Sequence, residues 1–104
     1  MAYRSAAIAL GWLFLACAVA GTARADANAG AQVARQWCSS CHLVAAGQTG
    51  TVPQGPPSFT AVAKSGVSAD QLRAFLSHPH GAMPDLALTR VEIDNLIHYI
   101  ESLR

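Results

Sequence analysis

The chain has 104 residues, 52% of them hydrophobic and only 12% charged, with a formal net charge of +1. That length excludes a multidomain enzyme and a large α/β architecture. The near-neutral charge leaves no basic footprint for nucleic acid.

The apolar residues crowd into the first 25 positions. Arg4 precedes an uncharged run from Ala6 to Ala20, and Gly21-Thr22-Ala23-Arg24-Ala25 then supplies the small residues of an Ala-x-Ala cleavage site. Residues 1–25 therefore read as a secretory signal peptide cut after Ala25, and residues 26–104 as one domain. As a retained anchor the run is short: about 22 Å as a helix, against roughly 30 Å of hydrocarbon. Leu15-Ala16-Cys17 offers lipidation at Cys17 as a third route, but Phe14 stands where that signal normally has Leu. Without the tag, Arg35, Lys64, Arg73, Arg90 and Arg104 oppose Asp26, Asp70, Asp85, Glu92, Asp94 and Glu101, a net −1. No lysine ring remains for strong steering toward acidic partners. The 79 residues from 26 to 104 are close to the size at which a hydrophobic core alone is marginal, so a disulfide, metal or cofactor is expected.

Asp26 or Asn28 can cap a first helix that runs to about Ser39, with Val33 and Trp37 on one face. At its end stands Cys38-Ser39-Ser40-Cys41-His42. A thioredoxin-type dithiol would need a βαβ context, and no strand-like alternation precedes the motif. Zinc would need further ligands, and His78 and His80 are two apart rather than three to five. A disulfide over so short a loop would add little stability and leave His42 unexplained. The remaining reading is covalent attachment of a c-type haem. Two thiols three apart on a helical turn reach the two vinyl groups along one porphyrin edge, and the next histidine lies under the ring.

Residues 45–57 form a glycine- and proline-rich loop without hydrophobic period. Ser58 caps a short helix of Phe59, Val62 and Ala63 that Gly66 ends. Ser68-Ala69-Asp70-Gln71 is a capping box ahead of Leu72, Phe75 and Leu76. His78-Pro79-His80-Gly81-Ala82-Met83-Pro84 is a helix-breaking loop holding the only methionine left after the tag. Between Gly81 and Pro84 it is poorly sited as core filler and well sited as a fixed iron ligand. His80 is the rival and would give a bis-histidine iron. Thr89-Arg90-Val91-Glu92 is a second capping box, opening a helix with Ile93, Leu96, Ile97, Ile100 and Leu103 inward. No segment reads as a strand. The fold class expected is all-α, four to five short helices in one domain wrapped around one haem, with Phe59, Leu72, Phe75, Leu76, Leu86, Leu88 and Ile97 buried against it.

Over residues 27–104 the chain resembles a class I c-type cytochrome, the small monohaem kind of bacterial periplasms. Gly30 stands where that family has a glycine packed on the last helix. Gly55-Pro56-Pro57-Ser58-Phe59 resembles its Gly-Pro segment, whose proline carbonyl accepts the Nδ1–H of the proximal histidine; Pro56 and Pro57 are both open for that role. Leu96-Ile97-His98-Tyr99-Ile100 resembles its C-terminal helix. The usual N-terminal aromatic falls at Val33 or Ala34, so packing there must be smaller or use Trp37.

The resemblance implies one haem c bound through Cys38 and Cys41, with His42 and Met83 as axial iron ligands and no catalytic residue. It implies a periplasmic one-electron carrier rather than an enzyme. Its partners are redox proteins, a periplasmic dehydrogenase or a terminal oxidase or reductase, met as a monomer or in transient complexes, without nucleic acid or stable membrane insertion after signal removal. Two other readings stay open. One is a dedicated subunit or acceptor of a periplasmic dehydrogenase, as in sulfite or alcohol oxidation. The other is a haem enzyme or gas binder with a labile distal ligand. Trp37, Gln54 and Lys64 are candidate donors to the propionates, and His78 and His80 candidates for pH-dependent docking.

Overall fold

A computed structural model describes residues 24–50, 55–79 and 81–104. The expected tag through Ala23, Cys17, Gln54 and His80 lie outside the described residues. Four helices form: α1 (Ala27–Trp37), α2 (Phe59–Lys64), α3 (Ala69–Ser77) and α4 (Arg90–Glu101). Among the described residues there is no strand, and the fold is all-α as expected.

Each helix starts where a side-chain oxygen can satisfy its first free N–H groups. Asp26 is extended and its Oδ1 accepts the Asn28 N–H at 2.8 Å. Ser58 Oγ accepts the Ala61 N–H at 3.1 Å. Ser68 and Thr89 both close full capping boxes, with Gln71 and Glu92 reaching back to the cap N–H at 2.9 and 2.8 Å. α1 stops at Trp37, two residues short of the expected end, where Cys38 caps it and its carbonyl turns to accept the N–H groups of Cys41 and His42.

The architecture is organised by α4. Its Ile93, Leu96, Ile97 and Ile100 are all buried, the i, i+3, i+4, i+7 stripe of an amphipathic helix. At about 1.5–3 kcal/mol for each fully buried side chain, this stripe is a major apolar contribution to the fold. α1 lies against α4 more extensively than α2 or α3 does. The crossing is backbone-close: Gly30 is buried, and a Cβ there would overlap the Asn95 carbonyl oxygen and lie 2.8 Å from Tyr99 Cβ. One turn later Ala34 is fully buried. Packing on α1 is thus the small-residue alternative, and Trp37, 46% exposed, takes no part in it. Val33, four residues before Trp37 on the same helical face, is half-buried against the core.

Polar bonds tie α4 to its neighbours. Asn95 Oδ1 accepts the Asp26 N–H at 2.8 Å, joining the start of α1 to α4. Tyr99 Oη donates to the Val44 carbonyl at 2.5 Å, joining α4 to the loop after the cysteine motif. Arg73 of α3 donates to Asp94 of α4 through Nε and Nη2, at 3.2 and 3.1 Å. Cys38, Val44, Phe59, Ala63 and Leu72 complete the buried cluster, while Leu76, Leu88 and Leu103 are half-buried against it. Phe75, expected inward, is 37% exposed.

Candidate functional site

The motif at the end of α1 folds as a tight turn. Cys38 caps the helix, its N–H bonded to the Ala34 carbonyl, and its own carbonyl accepts the N–H groups of Cys41 and His42 at 3.2 and 2.9 Å. The turn gives the two free thiols different surroundings: Cys38 is buried and Cys41 exposed. Burial, with the neighbouring Cys41 adding to it, pushes the Cys38 thiol up to about 11.

His42 is half-buried, with Nδ1 2.7 Å from the Pro57 carbonyl oxygen. A carbonyl only accepts, so Nδ1 carries the hydrogen and donates, leaving Nε2 with its lone pair free for a metal. Pro57, rather than Pro56, is therefore the residue that orients the ring. Gly55 in the left-handed region (φ 64°) turns the chain into this proline pair. The Phe59 N–H then bonds the Leu43 carbonyl at 2.9 Å, clamping the segment to the residue after His42. The Phe59 ring stands 5.4 Å from the imidazole, tilted by 56°.

Cys38, Cys41 and His42 open onto one mainly apolar cleft of about 430 Å³. Trp37, Cys38, Cys41 and His42 contribute from the end of α1 and the turn; Met83 and Leu86 come from the loop between α3 and α4. The four residues expected to hold a cofactor are thus brought to one cavity from two distant parts of the sequence. Met83 is half-buried there, between Gly81 in the left-handed region (φ 71°) and Pro84. Ser40, Pro56, Ala82 and Pro84 also line the cleft. They carry no pattern of their own, although each neighbours a motif residue or the Gly-Pro segment. Lys64 and His78 are exposed and do not line it.

The donor set fits a haem. Two free thiols and an imidazole with a free Nε2 come from one turn, a thioether comes from the opposite loop, and the lining is otherwise apolar. Among the described residues no group of three or more His, Cys, Asp or Glu side chains is arranged to hold a bare metal ion.

Comparison with known proteins agrees. The family described as cytochrome c oxidase, cbb3-type, subunit III matches residues 25–100. Cytochrome c-552 of Bradyrhizobium diazoefficiens is 44% identical over 81 residues, which is 77% of this chain and 77% of that protein. No solved structure matches the chain significantly.

Proposed function

The chain belongs to the c-type cytochrome family described as cytochrome c oxidase, cbb3-type, subunit III, and from that membership we propose that it is an exported, periplasmic one-electron carrier. In this reading one haem c is held covalently by Cys38 and Cys41, with His42 and Met83 as axial ligands. The observation that carries it is the shared cleft: the C-x-x-C-H turn and Met83 line it together although more than 40 residues separate them.

Bound there, haem supplies an iron that gains and loses one electron. The chain does the rest. Pro57 fixes the tautomer and direction of His42 through the 2.7 Å bond at Nδ1. A thioether ligand and an apolar surround both favour the reduced state, which supports a positive midpoint potential. Ligands from both sides would leave no open position for a substrate, so electron transfer rather than catalysis is the expected activity. Export is supported by the Ala23-x-Ala25 site and by a family match that begins at residue 25, two residues before α1.

The test is the protein purified from an exporting bacterial host. Its intact mass is expected to equal residues 26–104 plus one haem. The reduced form is expected to show a c-type α-band, and the oxidised form a far-red Met-to-iron band that Met83→Ala abolishes. Carbon monoxide is expected to bind reduced Met83→Ala and not the reduced native protein. A mass without haem overturns the reading, and carbon monoxide binding to the native protein points to an open iron and an enzyme or gas binder. The family description also supports a second reading, a dedicated subunit of a terminal oxidase. Co-purification of the native protein with a membrane oxidase separates the two.

A further inference from the structure

Asp26 stands at two boundaries at once. In sequence it follows Ala23-Arg24-Ala25, the expected cleavage site, and in the fold it caps α1. Arg24, Ala25 and Asp26 are exposed and lie outside any helix, so the Ala25–Asp26 peptide bond is at the surface.

Three atoms of Asp26 are held. Its Oδ1 accepts the Asn28 N–H, its carbonyl accepts the Gly30 N–H at 2.9 Å, and its own nitrogen donates to Asn95 Oδ1. The first two bonds belong to the start of a capped helix. The third is unlike its counterparts in α3 and α4, where Gln71 and Glu92 of the same helix bond the cap nitrogen. α1 has Ala29 at that position, and the oxygen comes instead from another helix, 69 positions along the chain. Asn95 is half-buried, and its main-chain carbonyl is also what leaves no room for a side chain at Gly30. One residue of α4 thus meets α1 through both its backbone and its side chain.

We infer that Asn95 is the binding site for the amino terminus that export creates. The inference rests on the export reading, with cleavage after Ala25. Hydrolysis adds water across the Ala25–Asp26 bond: the Ala25 carbonyl leaves with the leader as a carboxylate, and the Asp26 nitrogen takes up a proton as an α-ammonium. That nitrogen is the atom bonded to Asn95 Oδ1 at 2.8 Å, and an ammonium is a stronger donor than the amide it replaces. Arg24 departs in the same step, so the start of α1 exchanges a cation on an exposed side chain for one on a bonded nitrogen. The α1 macrodipole opposes a cation here, and the oxygens of Asn95 and Asp26 offset it. Processing therefore tightens the α1·α4 crossing, at the end of α1 opposite Cys38.

The test uses the haem-loaded protein from an exporting host, with intact mass reporting where the chain starts. Lys64 is the one lysine of the sequence, so a chain starting at Asp26 has two amines, and exposed Lys64 serves as the internal reference. Brief acetylation with acetic anhydride at pH 7, followed by peptide mass mapping, gives the ratio of α-amine to Lys64 modification. That ratio is expected to rise at least about threefold in Asn95→Ala, and to stay at or below the native value in Asn95→Asp, which keeps an accepting oxygen. It is expected to rise as much when Gly-Ser is inserted between Ala25 and Asp26, which moves the amine two residues away from Asn95. The inserted chain carries the test if Asn95→Ala fails to load haem. In denaturant, Asn95→Ala is expected to raise the unfolding constant about tenfold in the native chain and about threefold in the inserted one, where the Asp26 nitrogen is still an amide. A ratio unchanged in Asn95→Ala or in the inserted chain, or equal losses of stability in the two chains, overturns the amine site. A mass showing that the chain starts elsewhere than Asp26 means that the export reading, with its cleavage point, has failed instead.

Discussion

At residue 30 the separation of α1 and α4 is set by a missing side chain. In an isolated helix Gly30→Ala would gain about 1 kcal/mol of propensity. Here the added Cβ meets the Asn95 carbonyl, which is backbone and cannot swing away, so α1 itself must shift. Overpacking of this kind costs about 1–3 kcal/mol or more and outweighs the propensity. Gly30→Ala is therefore expected to destabilise by about 2 kcal/mol, lowering Tm by about 10 °C in a scanning calorimeter. Tyr99 poses the complementary case. Tyr99→Phe keeps the ring but removes the hydroxyl that donates to the carbonyl of Val44, a residue only 4% exposed. The stranded acceptor costs about 1–2 kcal/mol, and Tm is expected to fall by roughly 5–10 °C. Tyr99 does not line the cleft, so the visible spectrum should stay as it is. A variant that lost stability and spectrum together would put Tyr99 in contact with the site.

Among the elements, what could be read in the chain was what is local. Ser68 with Gln71 and Thr89 with Glu92 announce helix starts because a capping box closes within four residues and owes nothing to tertiary contacts. Thr89→Ala should accordingly cost about 1 kcal/mol. Thr89→Ser, which keeps the accepting oxygen, should recover most of that in the same melting series. The candidate site could be picked out for a similar reason: Cys38, Cys41 and His42 fall within five residues, and Met83 is framed by Gly81 and Pro84. What pairwise packing decides was not legible. Pro56 and Pro57 are equivalent as text, and only the fold directs the Pro57 carbonyl to His42. Trp37 fits the helical period of Val33, yet Gly30 and Ala34 bring the backbones too close to leave room for an indole between α1 and α4. Phe75 follows Leu72 at helical spacing, but α3 turns Leu72 into the core and leaves Phe75 37% exposed.

For the whole molecule the question is how so small a core holds. Among the described residues the large side chains most fully enclosed are Leu96, Ile97 and Ile100, all on α4, and the cleft beside Cys38 and Met83 has a mainly apolar lining. Filling it with haem would turn that lining into core, as the size of the domain requires. The haem-free chain should then be the weaker fold, with a pH liability that attachment at Cys38 would remove. As a free thiol Cys38 is raised from 9.0 to about 11, chiefly by burial and secondarily by Cys41, so the fold favours its protonated form. A group raised in this way contributes its full stability below its unfolded value and loses it as pH climbs through the folded one. The haem-free chain, kept reduced, is expected to melt at a lower temperature at pH 10 than at pH 7. If haem attachment makes Cys38 a thioether, it has no proton to lose, and circular-dichroism melts of the loaded protein should shift less over the same interval. Equal shifts in the two forms would mean that Cys38 is not buried as a thiol before attachment, or that attachment does not consume it.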